Sequence, residues 1–141
     1  MKYPENNLPE TGCGRCLCGA VRFEWTAKPD WACDCHCESC RRANSAAFAS
    51  FFGVRDENWA WTAAAPQLYE SAPDVRRWFC GTCGSQMAYA ANKFPGETHF
   101  FAASMEDPEA YRPSFEVNVD ERLSWVLTRD GLPQHRGHST D

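Results

Sequence analysis

The sequence has no long hydrophobic run. No stretch of its 141 residues approaches the roughly 18–20 consecutive apolar residues that a membrane-spanning helix needs. Segment 1–10 is polar and holds two prolines, so it lacks the apolar centre of a secretory signal peptide. We therefore expect a cytoplasmic protein with no membrane partner, in a compartment that keeps thiols reduced.

An excess of positive charge is also missing. The chain carries 14 Lys and Arg against 19 Asp and Glu, which gives a formal net charge of -5. Such a surface repels phosphate backbones, and thiolates around a metal ion would add further negative charge. The composition therefore argues against a nucleic-acid partner.

The cysteine pattern does not suit a disulfide framework. The chain has 9 cysteines, an odd number. They make up roughly 6% of the chain, below the ~8–10% of disulfide-rich scaffolds. The short spacing between them favours metal binding instead. The cysteines stand at positions 13, 16, 18, 33, 35, 37, 40, 80 and 83.

The length and the hydrophobic pattern predict one mainly β domain. A chain of 141 residues is the size of a single domain, and we expect 1–141 to form it, with 1–10 and 134–141 as tails. Alternating apolar and polar residues predict short strands, and an Ala-rich stretch predicts one of at most two short helices, over 39–47. The predicted strands cover 21–25, 31–37, 48–54, 75–79, 86–90, 98–103, 115–119 and 125–127.

Two cysteine pairs lie far apart in the sequence and have the spacing of metal ligands. They are Cys16 with Cys18 and Cys80 with Cys83, here called the four-cysteine group. A glycine follows each pair, as a tight turn onto the sulfurs requires. Four thiolates can close a structural zinc site. The alternative, a redox-active C-x-x-C motif, expects a helix after the motif, whereas a strand is predicted here.

Three further cysteines, Cys35, Cys37 and Cys40, have C-x-C-x-x-C spacing and are here called the cysteine triad. Three ligands on a tetrahedral zinc leave one position open, as in catalytic sites. A closed site would need a fourth ligand, and Cys13, Cys33 or His36 are the candidates; an empty or oxidised triad is the other alternative. We expect His36 to face away from its neighbours because side chains alternate along a strand. Cys13 and Cys33 are better interpreted as small, partly buried apolar residues.

Arg41 and Arg42 directly follow the last triad cysteine. We expect at least one of them to bind a carboxylate of an acidic substrate, because arginine recognises carboxylates with two parallel hydrogen bonds. The alternative is that one arginine pairs with a nearby Asp or Glu and the other is solvated.

These motifs resemble the glutathione-dependent formaldehyde-activating enzyme family, and the resemblance covers almost all of the chain except its ends. The matching segments are CLCGAVRF (16–23), CHCESCRR (35–42), WFCGTCGS (78–85) and ASMEDP (103–108). The resemblance implies a β-tent fold of small twisted antiparallel sheets bridged by zinc. It implies one structural zinc on the four-cysteine group and one catalytic zinc on the triad. It also implies carbon–sulfur lyase chemistry, which joins glutathione and formaldehyde as S-(hydroxymethyl)glutathione or reverses that reaction.

Two functions remain open at this point. The favoured one is a zinc-dependent carbon–sulfur lyase acting on a thiol–aldehyde adduct, with Cys35, Cys37 and Cys40 as catalytic ligands and a small thiol, glutathione by resemblance, as partner. The alternative is a non-catalytic zinc module that binds a small ligand or a protein partner. An open ligand position at the triad would separate the two, since a module needs only closed zinc sites.

Overall fold

The computed structural model describes residues 3–138. Over this range the chain forms ten strands, one α-helix and five 3-10 helices, so the mainly β prediction is confirmed. The strands are β1 Gly12–Arg15, β2 Arg22–Trp25, β3 Trp31–Cys35, β4 Ala49–Arg55, β5 Trp59–Trp61, β6 Gln67–Ala72, β7 Val75–Phe79, β8 Gln86–Ala91, β9 Glu97–Phe101 and β10 Phe115–Val117. The α-helix, α1, is Glu38–Asn44. The 3-10 helices are Asp56–Asn58, Ala102–Ser104, Pro108–Ala110, Val119–Glu121 and Ser124–Val126.

The strands form two sheets. A three-stranded sheet has the order β1-β2-β5, and a seven-stranded sheet has the order β10-β3-β4-β9-β8-β7-β6. The larger sheet exceeds the small sheets that the sequence predicts, and its pair β10–β3 is parallel while its other pairs are antiparallel. A parallel neighbour needs a long connection, and β10 reaches β3 from the far end of the chain. The contact could therefore not be predicted from local alternation.

Several predicted strands differ from those observed. The strands predicted over 98–103 and 115–119 end at Phe101 and Val117, before 3-10 helices, and β1, β5 and β6 were not predicted. The strand predicted over 31–37 ends at Cys35, because Cys37 begins α1 as its N-cap, with Sγ accepting the backbone N–H of Cys40 at 3.3 Å. The strand predicted over 125–127 is wrong. Ser124–Val126 is a single 3-10 turn, and the Trp125 side chain is exposed, so no neighbouring strand pairs with this short apolar run.

The hydrophobic core has two parts. Phe23, Trp25, Phe52 and Phe100 lie at the centre of the first part, where the rings of Phe23 and Phe100 stack with centroids 4.3 Å apart. Both parts contain cysteines of the predicted sites. Cys16 and Cys80 belong to the first part, and Cys35 and Cys40 belong to the second. Each cysteine group is thus anchored on packed side chains.

The segment expected to be an N-terminal tail is packed from residue 3 onward. Leu8 is buried in the core, and the buried Asn6 donates its side-chain N–H to the backbone oxygen of Pro29 at 3.1 Å. At the other end, residues 134–138 are exposed and form neither helix nor strand. Residues 1–2 and 139–141 of the two predicted tails lie outside the described range. Between residues 3 and 138, no helix has both the length and the apolar character needed to cross a membrane.

Candidate metal centres

The four-cysteine group comes together from two separate loops. The β1–β2 loop carries Cys16 and Cys18, the β7–β8 loop carries Cys80 and Cys83, and the four sulfurs lie within 4.8 Å of one another. The Cys16 and Cys18 sulfurs are 3.6 Å apart, and those of Cys18 and Cys80 are 3.8 Å apart. Four sulfurs at ~2.3 Å from a tetrahedral zinc would be about 3.8 Å apart. The group therefore has the dimensions of a closed thiolate site that joins the two sheets.

Backbone amides point at the two buried sulfurs of this group. The Cys16 sulfur accepts the N–H of Val21 at 3.3 Å, and the Cys80 sulfur accepts the N–H groups of Thr82 and Cys83, each at 3.4 Å. Such hydrogen bonds favour the ionised thiolate. The loops therefore aim backbone N–H donors at two of the four sulfurs that could hold a metal ion.

Two glycines and one serine complete these loops. Gly19 and Gly84 have φ values of +82° and +80°, in the region that only glycine adopts readily, and each follows the second cysteine of its pair. The Ser85 hydroxyl lies 3.2 Å from the Cys83 sulfur and accepts the N–H of Leu17 at 3.1 Å. The hydrogen bond from Ser85 lowers the pKa of Cys83 to about 5. Sequence reasoning missed Ser85, although its place directly after C-x-x-C-G was a usable signal.

The cysteine triad lies where β3 passes into α1. Cys35 is the last residue of β3, Cys37 is the N-cap of α1, and Cys40 is buried in its first turn. The three sulfurs lie within 4.8 Å of one another. In the part of the chain that the structure describes, no fourth Cys, His, Asp or Glu joins this group. Among residues 3–138 the arrangement therefore offers three thiol ligands without a fourth Cys, His, Asp or Glu.

The triad sulfurs are linked by hydrogen bonds that polarise them. The Cys35 pKa falls to about 5 because its sulfur accepts hydrogen bonds from the Cys40 thiol, the Cys37 backbone and the Asn118 amide, the last at 3.3 Å. The same contact with Cys35, together with burial, raises the pKa of Cys40. Asn118 reaches Cys35 because the parallel pairing places Val117 opposite that cysteine. Asn118 was not predicted from the sequence, since its partner is distant along the chain.

The other candidates for a fourth triad ligand point elsewhere. His36 is buried, with Nε2 2.9 Å from a carboxylate oxygen of Glu116, so it faces away from its cysteine neighbours as expected. Cys33 is buried, and burial raises its pKa to about 12. Cys13 is exposed on β1, so the expectation that it is partly buried is wrong. Neither Cys13 nor Cys33 lies in the triad or in the four-cysteine group.

Arg41 and Arg42 take different positions on α1. Arg42 is largely exposed, and its Nε is 2.8 Å from the Glu38 carboxylate one turn earlier. Nε of Arg41 is buried without a hydrogen-bond partner, and this side chain lines a shallow cleft beside Trp125 that contains no triad cysteine. A substrate-binding role for either arginine stays a prediction.

A cavity of about 800 Å³ lies beside the triad and is here called the triad cavity. Its lining includes Cys37, Cys40, Arg77 and Tyr89, and its volume falls within the ~300–1,000 Å³ of small-molecule sites. A somewhat larger cleft of about 890 Å³ is lined by Cys16 but by no triad cysteine. Of these two cavities, the triad cavity is the one that triad cysteines line.

The fold and these two groups define a class of protein: a small, mainly β chain with two cysteine clusters that could hold metal ions, as zinc-binding proteins do. A family model for the glutathione-dependent formaldehyde-activating enzyme matches residues 11–121, and the chain belongs to this family. The crystal structure of a Rhodobacter sphaeroides protein is similar, with 27% sequence identity and a TM-score of 0.56. The match covers 67% of this chain and 87% of the other. No curated protein shows significant sequence similarity to this chain.

Proposed function

We propose that the protein is a zinc-dependent carbon–sulfur lyase-type enzyme that acts on a thiol–aldehyde adduct, with glutathione and formaldehyde as the components of that adduct. The observation that carries the proposal is the triad. It has three sulfurs within 4.8 Å, no fourth protein ligand among the described residues, and a cavity of about 800 Å³ beside it. Family membership supplies the substrate names.

The donor sets support zinc at both groups. Thiolates are soft ligands that select zinc over hard cations such as magnesium and calcium. The closed four-cysteine group suits a structural role, and the open triad suits a catalytic one. A zinc ion held by the triad would lower the pKa of a substrate thiol entering the fourth position, so that the thiolate is available at neutral pH.

The side chains around the triad can orient the reacting groups. The Asn118 amide fixes the Cys35 sulfur from outside the triad. Burial raises the pKa of Tyr89, so its hydroxyl keeps its proton near neutral pH and can donate a hydrogen bond to the aldehyde oxygen in the cavity. The main contribution to the rate of this reaction is that the cavity holds the sulfur and the carbonyl carbon together, because the two reactants no longer have to meet by diffusion.

The test uses the cobalt-substituted protein and a set of small thiols. Visible absorption of cobalt in a thiolate site changes when a further sulfur binds, so titration with glutathione should shift the spectrum. Elemental analysis of freshly purified protein should first give between about one and two zinc ions per chain, as expected for one closed and one open site. NMR exchange measurements with glutathione and formaldehyde should then show faster adduct exchange with the zinc protein than with Cys37→Ser.

The outcomes separate the candidate functions. If glutathione leaves the spectrum unchanged while another small thiol shifts it, the chemistry stands and the substrate is wrong. If no thiol shifts it, or if adduct exchange is equal in the Cys37→Ser variant, the enzyme proposal is wrong. A non-catalytic zinc module then becomes the better explanation of the same two cysteine groups.

A further inference from the structure

Arg77 is a buried arginine that forms no ion pair with a carboxylate in the described part of the chain. Only 8% of the residue is exposed, its Nε donates to the Ser71 hydroxyl at 3.2 Å, and its Nη1 is buried with no hydrogen-bond partner. No carboxylate among residues 3–138 forms an ion pair with it. Burying a charge costs free energy unless the charge is paired. An anionic partner for this guanidinium would have to come from outside the described residues.

The sheet register directs Arg77 into the triad cavity. Arg77 on β7 is opposite Tyr69 on β6 and Tyr89 on β8, and residues opposite one another on neighbouring strands share a face. All three side chains line the triad cavity with Cys37 and Cys40. The guanidinium carbon is 5.1 Å from the centroid of the Tyr89 ring, a cation–π distance that fixes the direction of the side chain.

The other charged groups in the described wall of this cavity are exposed. Lys93 and Glu121 are both exposed, and one Glu121 carboxylate oxygen accepts the backbone N–H of Glu38. Arg42 is exposed and paired with Glu38. Arg77 is therefore the cation in this wall that is both buried and without a carboxylate partner among the described residues. It is a better candidate to bind an anion than Arg41 or Arg42.

We propose that Arg77 determines substrate specificity by binding a carboxylate of the thiol whose sulfur enters the triad, an inference that rests on the proposed function. The substrate class is then a thiol that carries a carboxylate at the other end of the molecule. The substrate carboxylate would accept a hydrogen bond from the Nη1 N–H of Arg77. An arginine suits the role because its planar fork matches a carboxylate. Thiols without a carboxylate would bind through sulfur alone.

The test compares glutathione with its diethyl ester, which keeps the thiol and removes both carboxylates. Binding to the cobalt-substituted protein is followed by the visible spectrum for wild type and Arg77→Met. We expect Arg77→Met to weaken glutathione binding by about 10- to 100-fold, as for the loss of a hydrogen bond between charged groups. Ester binding should change by less than about threefold, since no charged contact is lost.

Arg76→Met is the matched control. Arg76 is the neighbouring residue on β7, so its side chain leaves the opposite face of the sheet, and its Nη1 donates to the Asn92 side chain at 3.0 Å. This variant should bind both thiols as the wild type does. If Arg77→Met does not fold, as judged by circular dichroism, Arg77→Lys replaces it; lysine keeps the charge without the fork, so only glutathione should bind more weakly.

Each contrary outcome has a separate meaning. If neither thiol shifts the wild-type spectrum, glutathione is not the thiol of the proposed function and this inference falls with that assignment. If wild type binds both thiols but the Arg77 variant loses both equally, Arg77 only supports the triad and the specificity proposal alone is wrong. Unchanged glutathione binding in the variant would overturn it as well.

Discussion

Replacing one cysteine in each group should have very unequal consequences for stability. Cys80→Ser removes a buried ligand of the four-cysteine group, and Cys37→Ser removes a ligand of the triad. We expect the first change to lower the melting temperature strongly and the second to leave it nearly unchanged. Each variant loses one sulfur, so the expected difference comes from the segments that each group links. The four-cysteine group links two loops far apart in sequence, and the triad links close neighbours.

The four-cysteine group closes a long loop. The Cys18 and Cys80 sulfurs are 3.8 Å apart although the residues are 62 positions apart in sequence. A covalent link across a loop of that length stabilises a fold by about 4 kcal/mol in the chain-entropy model, and we expect a metal ion that clips the same loop together in the folded state to contribute on a similar scale. At about 3–4 °C per kcal/mol for a domain of this size, Cys80→Ser should lower the melting temperature by roughly 10–15 °C.

The triad, in contrast, connects neighbours that β3 and α1 already hold. Cys37 also serves as the N-cap of α1, where its sulfur accepts the Cys40 N–H. Serine is one of the preferred N-cap residues, so the Cys37→Ser variant keeps a cap. The expected loss is below about 1 kcal/mol, or roughly 3–4 °C.

Thermal melts followed by circular dichroism, together with elemental analysis of each variant, test this contrast. Cys13→Ser is the control, because Cys13 is exposed and lies outside both groups. Cys80→Ser should lose the tightly bound metal and the melting temperature together. The reasoning is refuted if the Cys37 and Cys80 variants lose equal stability, or if Cys80→Ser melts like the Cys13 control.

Two further changes probe the neighbourhood of the triad and the free thiols. Glycine tolerates the φ of 56° observed at position 118, so the Asn118→Gly variant keeps the backbone conformation. It removes the amide N–H that donates to the Cys35 sulfur. Chelator competition should show triad metal affinity reduced by about 10- to 100-fold, and an unchanged affinity would contradict the role given to this amide. In the native protein at pH 8, iodoacetamide should modify the exposed Cys13 before Cys33, whose buried thiol stays protonated because its pKa is raised to about 12. Mass spectrometry that finds Cys33 alkylated first would contradict this.

Local patterns in the sequence were sufficient for the cysteine groups and for most of the strands beside them, although β1 was missed. The strand–turn–strand unit around Cys80 and Cys83 was predicted as β7 and β8 are observed. Its signals are short-range: ligand spacing, a glycine after the motif, and alternating apolar residues. The grouping of Cys35, Cys37 and Cys40 was predicted from their spacing for the same reason. In these cases the residues that determine the geometry are close neighbours in the chain.

The parts that were missed depend on contacts between distant residues. Asn118 reaches Cys35 across 83 positions of sequence, and no local pattern marks it as a partner. Arg77 alternates on β7 like any strand residue, and only the register with β6 and β8 shows that it lines the triad cavity. Arg42, by contrast, was predicted as a substrate-binding residue because it lies close after Cys40 in the sequence. In the structure it pairs with the Glu38 carboxylate one turn earlier on the same helix.

The parallel pairing of β10 with β3 means that the triad receives its Asn118 hydrogen bond late during synthesis. Asn118 is made 83 residues after Cys35, which at about 5–20 residues per second takes about 4–17 s. Cys83 is made well before that, so the four-cysteine group can assemble while the edge of β3 is still uncovered. The three triad thiols are made before Cys80 and Cys83, so they are present throughout this interval without the Asn118 hydrogen bond. The triad thiols then meet solvent and oxidants for longest, so cells depleted of metal should accumulate chains oxidised at the triad.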